Sequence, residues 1–302
     1  MSVRGQLGNQ LFQWAMLRGL VPGQQVVVDD LWTTAAPLVA ALRPGSLRLV
    51  THREAARLRQ PPRLRRPARQ RVLARVERLD DGPAARWLHG REFRERTRSY
   101  DPAVAAVRPP VLYVGYFQQE RYFDHVADKV RGTFRPPTGE VGAAQSHLHA
   151  AIGPGETVAV VVRAGPEYDR LGWTLPFDWY QRAATLMAER VERPRFLVFS
   201  DVTLAAEGMA AAFRDIGPAH AVEPLDALSH LHLIASMDHA IVSASSYAWW
   251  GAWLGDQQQG PGGGRIVIAP TPWLRDELAE TPREQWLRLA VDGHQSAAPS
   301  ER

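Results

Sequence analysis

The chain has 302 residues and a formal net charge of +4; 45% of its residues are hydrophobic and 23% charged, a balance that suits a folded globular protein with one large core or two medium ones. It contains no cysteine, which excludes disulfides, thiolate catalysis and cysteine-type zinc sites and fits a reducing compartment. No apolar run is long enough to span a membrane and no apolar signal segment opens the sequence, so the expected location is the cytoplasm.

In chain order, Gly5 to Ala15 reads as a glycine loop entering a helix. Gly5 and Gly8 would let the backbone approach a ligand closely. Asn9 and Gln10 offer neutral donors and acceptors to ligand hydroxyls, or Asn9 merely caps the helix. Val26 to Val28 is a short buried strand, and Asp29 and Asp30 form its terminal turn. Two adjacent carboxylates invite a metal reading, but no third ligand stands nearby, and no metal is expected. Arg53 to Arg98 is rich in arginine and broken by Pro61, Pro62 and Pro67. Glu54, Glu77, Asp80, Asp81, Glu92 and Glu95 are interleaved, which predicts a mixed helical surface. It lacks the stacking aromatics of a nucleic-acid module, so no nucleic-acid partner is expected. Contact with phosphorylated or lipid-linked molecules, and a peripheral position at a membrane, stay open.

Phe123 to Arg131 reads as a helix, and Pro136 to Gly139 as an interdomain boundary. The expected domains are therefore 1–137 and 138–302. After the boundary, strands and helices alternate. Thr157–Val162, Phe196–Phe199, Ala240–Val242 and Ile266–Ile268 read as buried strands. Pro176–Val191, Leu225–Met237 and Trp249–Leu254 read as helices. His239 is expected to be a structural residue at a helix end. Gly260 to Gly264 reads as a surface loop, and the tail from His294 as disordered. This alternation predicts an α/β, right-handed, doubly wound sheet whose ligand lies at the carboxyl ends of its strands. Arg163, Ser200, Asp201 and Ser243 to Ser246 follow directly after strands, so they converge on one crevice.

Ser243-Ala244-Ser245-Ser246 leads from a strand into a tryptophan-rich helix. Ser243, Ser245 and Ser246 would stand where free backbone N–H groups and the positive helix end meet an anion such as a pyrophosphate. The plain alternative is serine N-capping with a packed core behind it.

The stretch Ser243 to Leu254 resembles the "SNSSFSWWGAWL" signature of glycosyltransferase family 11, the α-1,2-fucosyltransferases. Gly5 to Ala15 resembles that family's "GGLGNQMFQYA", Gly115 to Phe123 its "GYFQSEKYF", and Phe199-Ser200-Asp201 the start of its "FSDD". Asp178 to Ala183 and Ile266 to Trp273 match more weakly. The resemblance spans nearly the whole chain. It implies a GT-B-type fold, with two Rossmann-like domains facing a cleft. The N-terminal domain would hold the acceptor and the C-terminal domain the nucleotide sugar. It further implies a soluble bacterial-type, metal-independent, inverting transferase. L-fucose would pass from GDP-fucose, as substrate rather than cofactor, to a glycan or glycosylated small molecule.

The family's His-x-Arg-Arg-x-Asp motif aligns with Val161 to Pro166, where only Arg163 is retained. Arg163 is then the phosphate ligand that stabilises the departing diphosphate. Val161, Ala164 and Pro166 replace the other motif residues. His230 stands where an acid contacts guanine in related enzymes. The donor set implied is Asn9, Gln10, Arg163, Ser200, Asp201, His230, Ser243, Ser245 and Ser246. Glu167 and Asp169 are the candidate general bases, with solvated loop acids as the alternative. Two other functions stay open: a transferase using a different nucleotide sugar, and a non-catalytic sugar-nucleotide-binding protein.

Overall fold

A computed structural model describes residues 1–30, 33–50, 92–107, 111–256, 264–273 and 282–291. The chain divides into two compact units, Met1–Phe134 and Arg135–Arg302. Most of the arginine-rich segment, most of the Gly260 to Gly264 loop and the tail from His294 lie outside the described residues.

In the first unit, α1 (Leu7–Leu20) follows an extended start. Ser2 bridges in parallel to Asp29 at the end of β1 (Val26–Val28), and β1 pairs in parallel with β2 (Leu47–Leu49), α2 (Ala36–Ala41) lying between them in sequence. A second parallel pair joins β3 (Glu92–Arg94) to β4 (Leu112–Val114), with α3 (Ala103–Ala106) between them in sequence. Glu92 thus opens a strand and Glu95 directly follows it, where a helical surface is expected from the sequence. The apolar residues Phe93 and Tyr113 pack their rings 6.1 Å apart across the pair, and this contact outweighs the charge pattern around them. The expected helix Phe123 to Arg131 is α-helical only over α4 (Ala127–Arg131), with two short 3-10 turns before it.

The second unit opens with α5 (Gly139–Ile152). Its remaining described elements are β5 (Glu156–Val162), α6 (Pro166–Leu171), α7 (Phe177–Ala188), β6 (Pro194–Ser200), α8 (Thr203–Ala212), β7 (Ala219–Ala221), α9 (Ala227–Ala235), β8 (His239–Val242), α10 (Ser246–Gly255), β9 (Val267–Thr271) and β10 (Leu287–Ala290). Six parallel strands form one sheet in the order β10-β9-β8-β5-β6-β7. The α/β doubly wound class is as expected. Central β5 is buried along all but its first residue, because helices cover both faces. Val158, Val160 and Val162 pack with Trp179 and Met187 of α7 and with Met209 of α8. Helices α9 and α10 pack against each other, and α10 rests on β8.

Helix α10 is apolar all round, as a fully covered helix must be. Trp249, Trp250 and Trp253 are completely buried, the first and last stacked with centroids 5.8 Å apart. Gly251 is required for close packing on α9: a Cβ there would stand 2.6 Å from Ile234 Cγ2. His239 is not at a helix end. It opens buried β8, with Nε2 3.0 Å from the Glu156 carboxylate and Nδ1 accepting from the Ile266 amide, so its polar ring is paired on both sides. Among the described residues no helix is long and apolar enough to cross a membrane.

Candidate functional site

The chain runs from β5 outward to β6 and β7, then returns to the other side of β5 as β8. The sheet therefore has its topological switch point between β5 and β8. Open α/β sheets receive ligands at the carboxyl ends of the strands flanking that point. Arg163 follows β5 and Ser243 follows β8. The Ser243 amide donates to the Val161 carbonyl at 3.1 Å, which ties the two strand ends together.

From Ser243 the chain turns tightly, with the Ser245 amide donating to the Ser243 carbonyl at 2.7 Å, and then enters α10. Ser245 occupies the N-cap position but makes no side-chain cap bond, against the capping alternative. The first turn of an α-helix presents N–H groups without intrahelical partners, together with the positive end of the macrodipole. The Ser243 and Tyr180 hydroxyls are buried and make no hydrogen bond of good geometry, and the Tyr180 phenol lies beside Ser243 and the Arg163 backbone. Burial pushes the Tyr180 phenol far above its usual range, so it is a neutral donor.

Arg163 is held from two directions. Its guanidinium stands 2.6 Å from Asp201 Oδ2, and the same carboxylate accepts from the Ala164 amide at 3.1 Å. The guanidinium also lies 4.8 Å from the ring centroid of Tyr168. Ser200 folds back to accept from the Val202 amide and shapes the turn that carries Asp201. The structure thus brings together Arg163, Asp201, Ser243 and Ser245, with Ser200 and Ser246 on the same two turns.

Other expected residues have local roles. Asp169 accepts from the Thr174 hydroxyl at 2.5 Å, and Glu167 is exposed in the first turn of α6. The His230 ring packs edge-on to Phe199, with centroids 5.6 Å apart. Its Nε2 lies 2.9 Å from the Glu223 carbonyl and 3.2 Å from the Leu225 amide, so His230 fixes the loop before α9. Asn9 and Gln10 belong to the first unit. Asn9 Oδ1 accepts from the Gln118 side chain at 2.6 Å. Gln10 is buried and donates to the Gly5 and Thr34 carbonyls. Asp29 accepts a bifurcated hydrogen bond from the Ser2 hydroxyl, a structural role. Among the described residues no group of three or more histidine, aspartate and glutamate side chains is arranged to hold a metal.

Three functional candidates escape the sequence reading. Tyr168 stacks on Arg163, and the Tyr180 phenol lies beside the Arg163 backbone; the weak Asp178 to Ala183 match contains Tyr180, but nothing marks Tyr168. The third, Glu95, directly follows β3 in the first unit. Its carboxylate accepts from the Tyr116 and Phe117 amides at 2.6 and 2.9 Å, and burial raises its pKa above the usual carboxylate value. Phe117 takes a positive φ of 51° to deliver its amide.

No protein-family model matches the chain. It is 28% identical over 193 residues to an α-1,2-colitosyltransferase of Escherichia coli, covering 61% of this chain. It is 24% identical over 139 residues to the O-antigen biosynthesis glycosyltransferase WbnK of Escherichia coli, covering 44% of this chain. These alignments span 64% and 44% of the two relatives, less than two thirds of either. Among solved structures, the fucosyltransferase NodZ from Bradyrhizobium superposes with a TM-score of 0.45 at 14% identity, covering 83% of this chain and 91% of that one. The chain is thus similar in sequence to two bacterial glycosyltransferases.

Proposed function

We propose that the chain is an inverting glycosyltransferase of GT-B type in the α-1,2-fucosyltransferase family, working on a nucleotide-sugar donor and a glycan acceptor. The observation that carries this reading is the meeting of Arg163 with the uncapped serine turn at the β5–β8 switch point. A diphosphate matches that arrangement in charge and donor geometry. The acceptor oxygen attacks the anomeric carbon, and the carbon–phosphate oxygen bond breaks with its electron pair leaving on the diphosphate. Arg163 and the α10 N-terminus oppose the charge that develops there. Glu167 is the carboxylate assigned to take the acceptor proton, since Asp169 is engaged by Thr174.

GDP-fucose is the donor in this reading. His230, half-buried at the α9 entrance with its ring held edge-on by buried Phe199, is the residue this reading assigns to the base. Transfer of another sugar is a second reading. It is favoured by the similarity to a protein named as a colitosyltransferase and by Val161, Ala164 and Pro166 in the motif beside Arg163. Competitive binding of GDP, UDP, ADP and dTDP, followed by turnover of GDP-fucose with glycan acceptors, tests the proposal. GDP binding tightest supports it. A pyrimidine diphosphate binding at least ~10-fold tighter overturns the GDP-fucose donor. Nucleotide binding without turnover of any sugar nucleotide leaves the non-catalytic reading.

A further inference from the structure

We propose that Tyr168 is a catalytic residue, donating a hydrogen bond from its phenol to the departing diphosphate beside Arg163. The inference rests on the diphosphate site described above and goes beyond it, because a tyrosine in α6 is no part of the motif that marks Arg163.

The local backbone places the ring. Gly165 has a φ of 126°, a conformation that strongly favours glycine, and Pro166 starts the helix immediately after it. The reversal turns the first helical residues back over the end of β5. Tyr168 then lies against the Arg163 guanidinium at 4.8 Å, while Trp173 meets its edge at 5.8 Å and a 79° angle. The Trp173 amide donates to the Tyr168 carbonyl at 2.9 Å and closes the turn. A ring held by a cation on one side and an indole on another has little rotational freedom.

The hydroxyl of this fixed ring lies beside the Ser245 hydroxyl and the Arg163 guanidinium. It therefore joins the two halves of the anion site, the end of β5 and the turn into α10. Burial raises the phenol pKa above its ordinary value, with Arg163 opposing and Asp201 adding to the rise, so the group is protonated at neutral pH and acts as a donor. Ala164, the neighbour of Arg163, has no side-chain donor. The phenol supplies a second side-chain hydrogen bond to phosphate. It keeps its proton throughout: the breaking bond leaves its electron pair on the diphosphate oxygen, and the phenol stabilises that charge.

The test is calorimetric titration of inorganic pyrophosphate, a probe independent of base and sugar, into wild type, Tyr168→Phe and Arg163→Ala, with melting temperatures alongside. Tyr168→Phe keeps the ring over Arg163 and against Trp173, so a purely structural role predicts no change in affinity. The proposal predicts at least ~10-fold weaker binding at an unchanged melting temperature, the value of one hydrogen bond to a charged group. Wild-type affinity in Tyr168→Phe, with binding lost in Arg163→Ala, overturns the role of Tyr168 and leaves the diphosphate site standing. Equal affinity in all three proteins, or no pyrophosphate binding by wild type, overturns the site itself.

Discussion

Replacing Arg163 by alanine removes a cation from the diphosphate site and leaves the Asp201 carboxylate in place, and the lost attraction sets the size of the expected effect. The Arg163 and Asp201 side chains are 21% and 35% exposed, so their fields are neither those of bulk water nor those of a dry interior. At an effective dielectric of about 20–40, a phosphate charge about 5 Å from the guanidinium is worth about 2–3 kcal/mol. The Asp201 carboxylate repels the same phosphate by about 1 kcal/mol at a somewhat greater distance, with or without Arg163, so it does not enter the cost of Arg163→Ala. The loss of about 2–3 kcal/mol corresponds to a roughly 30–150-fold loss of affinity. Asp201→Asn added to Arg163→Ala removes that repulsion and should tighten binding roughly fivefold. The assay is calorimetric affinity for whichever of GDP, UDP, ADP and dTDP binds wild type tightest, with melting curves on all four proteins. Near-normal affinity in folded Arg163→Ala refutes the assignment of Arg163. Unchanged affinity when Asp201→Asn is added to Arg163→Ala refutes the opposing role of Asp201.

Excess chelator is expected to leave turnover unchanged, because Arg163 and the helix end supply the positive field; strict dependence on added magnesium or manganese would reject this. Gly251→Ala forces a methyl group against Ile234 and should destabilise the protein by about 1–3 kcal/mol, read from denaturant unfolding; an unchanged midpoint would contradict the α9–α10 packing. Asp226 caps α9 by accepting from the Leu228 and Ser229 amides, and the Ser229 hydroxyl, foremost, holds its pKa below the usual carboxylate value. Asp226→Ala should cost about 1 kcal/mol at neutral pH. Because the folded pKa is depressed, the ionised carboxylate's contribution is present above the unfolded value and disappears as pH falls through the folded one. The stability gap between wild type and Asp226→Ala should therefore narrow in acid; a gap that stays constant as the carboxylate is protonated would contradict it.

The parts of the site that were legible in the sequence are those where chemistry follows an unbroken apolar run. Arg163 stands after Thr157 to Val162, and the serine turn after Ala240 to Val242, so strand ends and polar residues mark each other. Edge strands were not legible: β7 is Ala-His-Ala and β10 Leu-Arg-Leu-Ala, each short and only partly covered. Helix α5 buries only Val141, Leu148 and Ile152, too narrow a stripe to stand out in Gly139 to Ile152. Tyr168 was hidden because its segment, Pro-Glu-Tyr-Asp-Arg-Leu, reads as a polar loop, and the ring reaches Arg163 only through the conformation of Gly165. Glu95 was hidden by the arginines around it, which outweigh a three-residue strand. Gln10 illustrates the reverse case. Its motif suggests a ligand contact, yet the buried amide is spent on the Gly5 and Thr34 carbonyls.

The central claim is that a donor diphosphate binds at the carboxyl end of β5 and β8. A crystal structure of the protein with its tightest-binding nucleoside diphosphate tests this most directly. The account predicts phosphate oxygens about 3 Å from the Arg163 guanidinium and from backbone amides at the start of α10, with the Tyr168 hydroxyl directed at them. A diphosphate bound elsewhere, with Arg163 still paired to Asp201 and the serine turn empty, would contradict it.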